Sequence, residues 1–350
     1  MMFGGEKICS IEFNQHVLRI VEGKEKDKKV TVNKKAEYPM PEGVFSNGLI
    51  LDLDQMADFL QRSLKAGGFS AKKTTVVLNS DDILVREISI PFVQDSEIKS
   101  VVDFKVQDIL RENAESYVTD FLVLKKIMED GAEKLRVLLV SVPSEMVVSY
   151  MVLLNKVGLT PSSFDYTPSA ISKYVFSLGS LGALSDLQDK SIAIINSESG
   201  DTVLSIMRNG VLEMHRSVKF DLNEISKGIK QLFEYTDEQV LENIHAIEDI
   251  STESFDYSDE SRFLNAIRTS YIQTFDELQQ VVRFYNSRNQ DSKIELLVMN
   301  GRIFQVKGME KFAGEIFDTP VVLLNSTSIE SNDRYGAPIG AIIRVEDDKK

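Results

Sequence analysis

Residues 191–218 read SIAIINSESGDTVLSIMRNGVLEMHRSV, and this stretch sets the fold class. Ile192, Ala193, Ile194 and Ile195 form a short apolar run suited to a buried strand, while Val203, Ser205 and Met207 alternate in a second strand. Asn209 and Gly210 supply the two left-handed residues of a type I′ turn into a third strand at Val211 to Arg216. The result is strand, polar loop, strand, tight turn, strand. Ser197, Glu198, Ser199, Gly200 and Asp201 make up the loop.

Outward from this centre, the C-terminal half continues with helices. Leu222 to Tyr235 has helical patterning, and Thr236 with Gln239 has capping-box spacing for the next helix. Ser251 to Asp259 is a polar, acidic loop. Phe263, Leu264, Ile267, Tyr271, Phe275, Leu278, Val282 and Tyr285 then hold one apolar stripe over about six turns. A strand at Glu295 to Met299, a helix at Met309 to Phe317 and a strand at Val321 to Leu324 close the half.

The N-terminal half follows the same plan. Strands at Lys7 to Phe13, Val17 to Glu22 and Val30 to Tyr38 form a meander. Asp54 is expected to cap a helix stopped by Gly67 and Gly68, and Thr74 to Leu78 is the next strand. A βαβ-like insertion follows over about 83–135, with a strand ending at Pro91 and a helix capped by Asp95. Strands at Phe121 to Ile127 and Leu135 to Val142 come next, and a helix opens at Pro143 and Ser144. Repetition of strands and helices in both halves predicts an α/β protein of two related domains. The domains are expected at 1–185 and 190–346, divided in the small, polar stretch Gly179 to Asp189, with a helical subdomain at 222–290.

Bulk composition narrows the functions. The 350 residues are 43% hydrophobic and 27% charged, a globular composition. Acidic residues outnumber basic ones 54 to 40, a net charge of −14 that disfavours nucleic acid and anionic lipid. A single cysteine, Cys9, fits a reducing compartment, and His16, His215 and His245 are too scattered for a metal cluster. The charged MMFGGEK opening is unlike a signal peptide, and no apolar run reaches the roughly 20 residues of a bilayer span. A cytoplasmic protein is expected, brought to a membrane only by a partner and not by direct insertion.

Several stretches, in order, resemble the PilM family, actin-like cytoplasmic components of type IV pilus assembly related to the division protein FtsA. IEFNQHVLRIVEG (residues 11–23) is similar to the family's first phosphate hairpin, and PEGVFSNGLILDLDQM (41–56) to its Pro-x-Gly, Gly-x-Ile-x-Asp passage. REISIP (86–91) looks like the start of its inserted subdomain, VGLTPSSFDYTPSAI (157–171) like its Gly-Leu-x-Pro segment, and RYGAPIGAIIR (334–344) like its closing Gly-Leu-Ala-x-Arg. The resemblance implies an actin-like fold with a nucleotide cleft between two domains. It also implies a partner, the short cytoplasmic N-terminal tail of an inner-membrane PilN-type protein, with other platform proteins or a motor ATPase as further partners. The protein would then lie at the inner face of the membrane through that partner.

Against the family pattern, the nucleotide positions depart. In the first hairpin Glu12 keeps an acid, but Asn14 replaces glycine, Gln15 and His16 replace small residues, and Arg19 stands for lysine. In the second, preceding Thr202, Asn196 replaces the acid and Glu198 the glycine. A glutamate about 4 Å from a phosphate charge costs roughly 4 kcal/mol at an effective dielectric of 20, nearly three decades of affinity. After Asn300, the three glycines expected of the adenosine segment read Gly301, Arg302 and Ile303, which suggests a filled pocket. The expectation is a non-catalytic adaptor with a vestigial cleft at Glu12, Asn14, Gln15, Asn196, Glu198, Thr202, Asn300, Gly301 and Arg302, without a cofactor. The alternative is a switch that binds or hydrolyses ATP with magnesium.

Other features are read as structural. Cys9 with His16 lacks a third partner for a reactive pair. A metal site from Glu12 and Glu198 is weighed against two solvated or hydrogen-bonded carboxylates, and the second reading is preferred. Lys24 to Lys35 reads as a solvated, edge-protecting face. A groove between the inserted helix, Asp95 to Asn113, and the first domain is the expected partner surface. The ending VEDDKK does not fit the amphipathic membrane helix of a division-type filament former.

Overall fold

The computed structural model describes residues 6–197, 202–220, 222–253, 256–288, 293–324 and 331–344. The chain divides into two units, one running through Thr167 and resuming at Ala341, the other spanning Pro168–Gly340. The division falls at Thr167, ahead of the expected Gly179–Asp189 stretch. Those small residues instead fold within the second unit, where Leu187 is fully buried and the Gly182 backbone approaches the Val322 side chain.

The first unit opens with β1 (Ile8–Phe13), β2 (Val17–Lys26) and β3 (Lys29–Pro39). A short hairpin of β4 (Phe45–Ser46) and β5 (Leu49–Ile50) leads to α1 (Leu53–Ala66) and β6 (Lys73–Leu78). Asp52, not Asp54, caps α1: its carboxylate accepts the Gln55 N–H at 2.9 Å, while Asp54 pairs with Lys156 at 2.5 Å. One residue separates these aspartates, and only the first has the extended backbone that a cap requires.

The insertion comprises β7 (Leu84–Pro91), α2 (Asp95–Leu110), β8 (Tyr117–Glu129) and β9 (Ala132–Pro143). Its strands lie in the order β7-β9-β8, each neighbour antiparallel. Strands β7 and β8, joined by α2, run parallel with β9 slotted between them, a split form of the expected βαβ unit. Because β9 is integral, the insertion extends to Pro143, beyond the expected end near residue 135. Gln94 caps α2 through a capping box with Glu97, and Asp95 becomes its first helical residue.

After the insertion, α3 (Ser144–Lys156) and β10 (Thr160–Tyr166) complete the first sheet, ordered β10-β6-β1-β2-β3. One face buries Cys9, Ile11, Phe13, Leu18 and Ile20 against Met56 and Leu60 of α1 and Met146, Tyr150 and Leu154 of α3. Residues of β1 alternate about the sheet, so Ser10 and Glu12 take the opposite face.

The second unit follows from α4 (Thr167–Ser177), with the hairpin β11 (Ser180–Leu181) and β12 (Leu184–Ser185). Its sheet contains β13 (Ser191–Asn196), β14 (Thr202–Arg208), β15 (Val211–Val218), β16 (Leu296–Asn300) and β17 (Val321–Leu323), ordered β15-β14-β13-β16-β17. This order repeats that of the first unit: a meander on one side of the first strand and two parallel strands on the other. The Asn209–Gly210 turn has φ of +52° and +74°, the left-handed pair expected of it.

Helices α5 (Leu222–Phe233), α6 (Asp237–Ala246), α7 (Asp259–Arg288) and α8 (Met309–Phe317) belong to the same unit, and α9 (Gly336–Ile342) begins in it. Thr236 and Gln239 form the anticipated capping box. Seven of the eight stripe residues of α7 are buried, and Leu264 is partly so. The stripe therefore packs on its own domain.

Candidate functional site

The candidate positions that the structure describes lie at or beside strand ends. In the first unit Glu12 lies opposite Arg19 in the β1–β2 register. Arg19 donates from Nη1 to Glu12 Oε2 at 3.1 Å and from Nε to Glu37 Oε2 at 2.9 Å. All three side chains are largely buried. A buried carboxylate requires a cation or donors, and here a guanidinium from the adjoining strand lies between two of them. The cation at the family's lysine position is thus held by its own sheet.

The turn beyond Glu12 is closed by side-chain chemistry instead of by a left-handed residue. Asn14 does not have a positive φ, so the turn does without the left-handed conformation that glycine favours. Its N–H donates to the Val17 carbonyl at 3.0 Å, and its Oδ1 accepts the His16 N–H at 3.3 Å. Two backbone donors that a phosphate turn directs at an anion are therefore engaged within the turn. Gln15 and His16 are exposed.

In the second unit, β13 and β16 run parallel and end in register at Asn196 and Asn300. Asn300 Nδ2 donates to Asn196 Oδ1 at 2.7 Å, with both residues buried. Ser197 N–H donates to the Asn300 carbonyl at 2.8 Å, which brings the two strand ends against each other. Gly301 has φ of +137°, and a Cβ there would stand 2.2 Å from the Ser197 carbonyl oxygen. Glycine is retained because backbone occupies the position of a side chain. Thr202 donates from Oγ1 to the Phe220 carbonyl at 2.6 Å, a contact that ties β14 to the segment after β15.

Arg302 is exposed, and its carbonyl meets His245 Nε2 at 3.1 Å. Ile303 follows it in the chain. Its side chain is buried in the core of the second unit and its carbonyl accepts from the Tyr271 hydroxyl. Glu198 lies outside the described residues. Among the described residues, no group of three or more His, Cys, Asp or Glu is arranged to hold a metal ion. Cys9 is fully buried, and burial followed by the nearby Glu22 charge pushes its thiol up to about 12. Such a thiol is unreactive.

The C-terminal half of α2 borders a recess over its own subdomain sheet, lined by Leu84 and Arg86 of β7, Val106, Ile109 and Leu110 of α2, and Leu139 and Ser141 of β9. It is shallow, with a cavity volume of about 10 Å³, room for about one water molecule. Ile98 and Val102, earlier in the same helix, are buried against Ile90, Leu135 and Val137. Arg86 is exposed on the recess wall. Helical periodicity marked the apolar face of α2 but not where along it the packing opens.

Comparison with known proteins agrees with this architecture. Over residues 10–335 the sequence matches the family described as type IV pilus assembly protein PilM. A structure titled as the PilM-PilN type IV pilus biogenesis complex superposes with a TM-score of 0.74 at 17% identity, covering 96% of this chain and 98% of that one. The ethanolamine utilization protein EutJ of Carboxydothermus hydrogenoformans gives 0.53 at 11% identity, with 98% and 91% covered. MreB 5 of Spiroplasma citri bound to AMPPNP gives 0.51 at 11% identity, with 96% and 94% covered. No curated protein matches the sequence. With an actin-like fold and a family match across nearly its whole length, the chain belongs to the PilM family of type IV pilus assembly proteins.

Proposed function

We propose that the protein is a non-catalytic adaptor of type IV pilus assembly that captures the cytoplasmic N-terminal tail of a PilN-type inner-membrane protein. One observation carries the non-catalytic reading: the polar groups at the strand ends are partners of one another. Arg19 lies between Glu12 and Glu37, Asn300 is bonded to Asn196, and the first hairpin turn holds its own N–H groups. Arranging metal-bound water calls for a carboxylate at the second strand end, and an amide cannot take that part.

Support for the partner comes from the likeness to a structure titled as a PilM-PilN complex and from the recess beside α2. The recess offers an apolar floor with one exposed guanidinium, suited to a short peptide that anchors on a few side chains. No helix among the described residues is long and apolar enough to cross a membrane, which fits recruitment by a partner.

Two titrations test this function. A synthetic N-terminal tail of the PilN-type protein is expected to bind the full chain with micromolar or better affinity, and ATP with magnesium to give no heat at submillimolar concentrations. Failure of any such tail to bind overturns the adaptor role. Submillimolar nucleotide binding favours the alternative, an ATP-dependent switch of the same platform.

A further inference from the structure

We propose that the β2–β3 hairpin end of the first unit is an electrostatic docking surface for anionic phospholipid headgroups. Residues 24–35 read KEKDKKVTVNKK: six lysines against Glu25 and Asp27, a local charge of +4 in a chain of −14. The hairpin pairs Lys26 with Lys29, and Asp27 and Lys28 form its turn with φ of +54° and +59°. Like charges placed opposite each other destabilise a ladder, so this concentration is not there for the strands.

Further lysines lie beside β3, away from the turn of the hairpin, where Lys34 pairs opposite Glu22. Lys34 donates to the Gly68 carbonyl just past α1, whose last turn carries Lys65. Exposed Lys72 follows in the loop to β6. Among the described residues, Lys24, Lys26, Lys28, Lys29, Lys65 and Lys72 form no side-chain ion pair. Guarding the exposed edge accounts for lysines on β3, the outermost strand, but not for those on β2, in the turn, on α1 or before β6.

Composition selects the occupant. Protein interfaces are depleted in lysine and anchored by aromatic residues and arginine, and the hairpin tip contains neither. A lysine cluster without anchors suits a diffuse anionic layer, which requires charge but no matching shape. The tip lies at the end of the sheet where β1 enters, whereas β6 leaves for the insertion at the other end. A six-residue strand spans about 20 Å, so a tail reaching the α2 recess from the bilayer needs at least about six extended residues.

Vesicle co-sedimentation of the full chain tests the surface. Vesicles of equal parts phosphatidylglycerol and phosphatidylcholine are expected to pellet the protein at low salt, and phosphatidylcholine alone to leave it in solution. Each lysine contributes about fivefold to the partition coefficient, so K26E/K28E/K29E should lower it at least tenfold. The variant K293E/K307E/K311E alters net charge equally on exposed lysines of the second unit and should lower it far less. Equal losses in both variants, pelleting by neutral vesicles, or no pelleting by anionic ones overturns the proposal. The last result combined with hairpin-dependent capture of an acidic protein assigns the lysines to a protein partner.

Discussion

Arg19 donates to Glu12 at 3.1 Å across the first two strands, and its Nε reaches Glu37 at 2.9 Å on the third. One cation thereby joins three strands at the position where an actin-like phosphate hairpin presents its chemistry. Removing it leaves two carboxylates in a buried setting. Arg19→Met is expected to destabilise the first unit by roughly 3–5 kcal/mol, read as a lower urea midpoint, whereas magnesium leaves the wild-type midpoint unchanged. A magnesium-dependent rise would return Glu12 to a metal-binding role.

Gly301 sits where the Ser197 carbonyl would meet any Cβ at 2.2 Å. Gly301→Ala is expected to cost at least about 2 kcal/mol and to loosen the Asn196–Asn300 pairing beside it. Thermal unfolding of the second unit measures this. An unchanged midpoint would show that β13 and β16 can separate without loss.

His215, on β15, is 9% exposed. Burial, followed by the neighbouring Arg216 charge, pulls its imidazole down to about 4. The folded state therefore holds the neutral ring while the unfolded chain takes up a proton below about 6.5. Stability from this group is complete above pH 6.5, falls between about 6.5 and 4, and is level below. The whole loss is roughly 3 kcal/mol. Urea midpoints at pH 7 and pH 4.5 should separate less in His215→Gln than in wild type.

Glu22 is fully buried. Burial, the largest single effect, raises its carboxyl, but the Ser70 and Ala71 N–H groups, Lys7 and the Ser70 hydroxyl outweigh it and hold the group at about 2. Its contribution is present above pH 4.5 and lost as pH falls toward 2, a window below that of His215. Glu22→Ala leaves the Ser70 and Ala71 N–H groups, the second of them buried, without their acceptor and is expected to cost about 3 kcal/mol at neutral pH in denaturant titrations.

Ile109 lines the α2 recess but does not belong to its fully buried core. Ile109→Asp is expected to weaken tail-peptide binding at least tenfold in fluorescence anisotropy while the unfolding of the second unit stays unchanged. Arg86→Glu should weaken it as well, with less effect on subdomain stability. Wild-type affinity in both variants would place the tail elsewhere.

The succession of strands and helices along the chain, the Asn209–Gly210 turn, the capping box at Thr236 and the α7 stripe were legible because each depends on residues near in sequence: period, turn conformation and cap spacing are local physics. The fold class followed from their repetition, and the departures from the phosphate motif were visible as replaced residue types. What the replacements do is not local. That Arg19 holds both Glu12 and Glu37, that Asn300 meets Asn196, and that Ile303 turns into the core depend on which strands become neighbours. The Asp52 cap differed from the expected Asp54 because both neighbours have suitable side chains and only backbone conformation separates them. The unit boundary and the α2 recess belong to the same class. Burial and packing over long sequence separations decided them, and one chain read in order does not contain those distances.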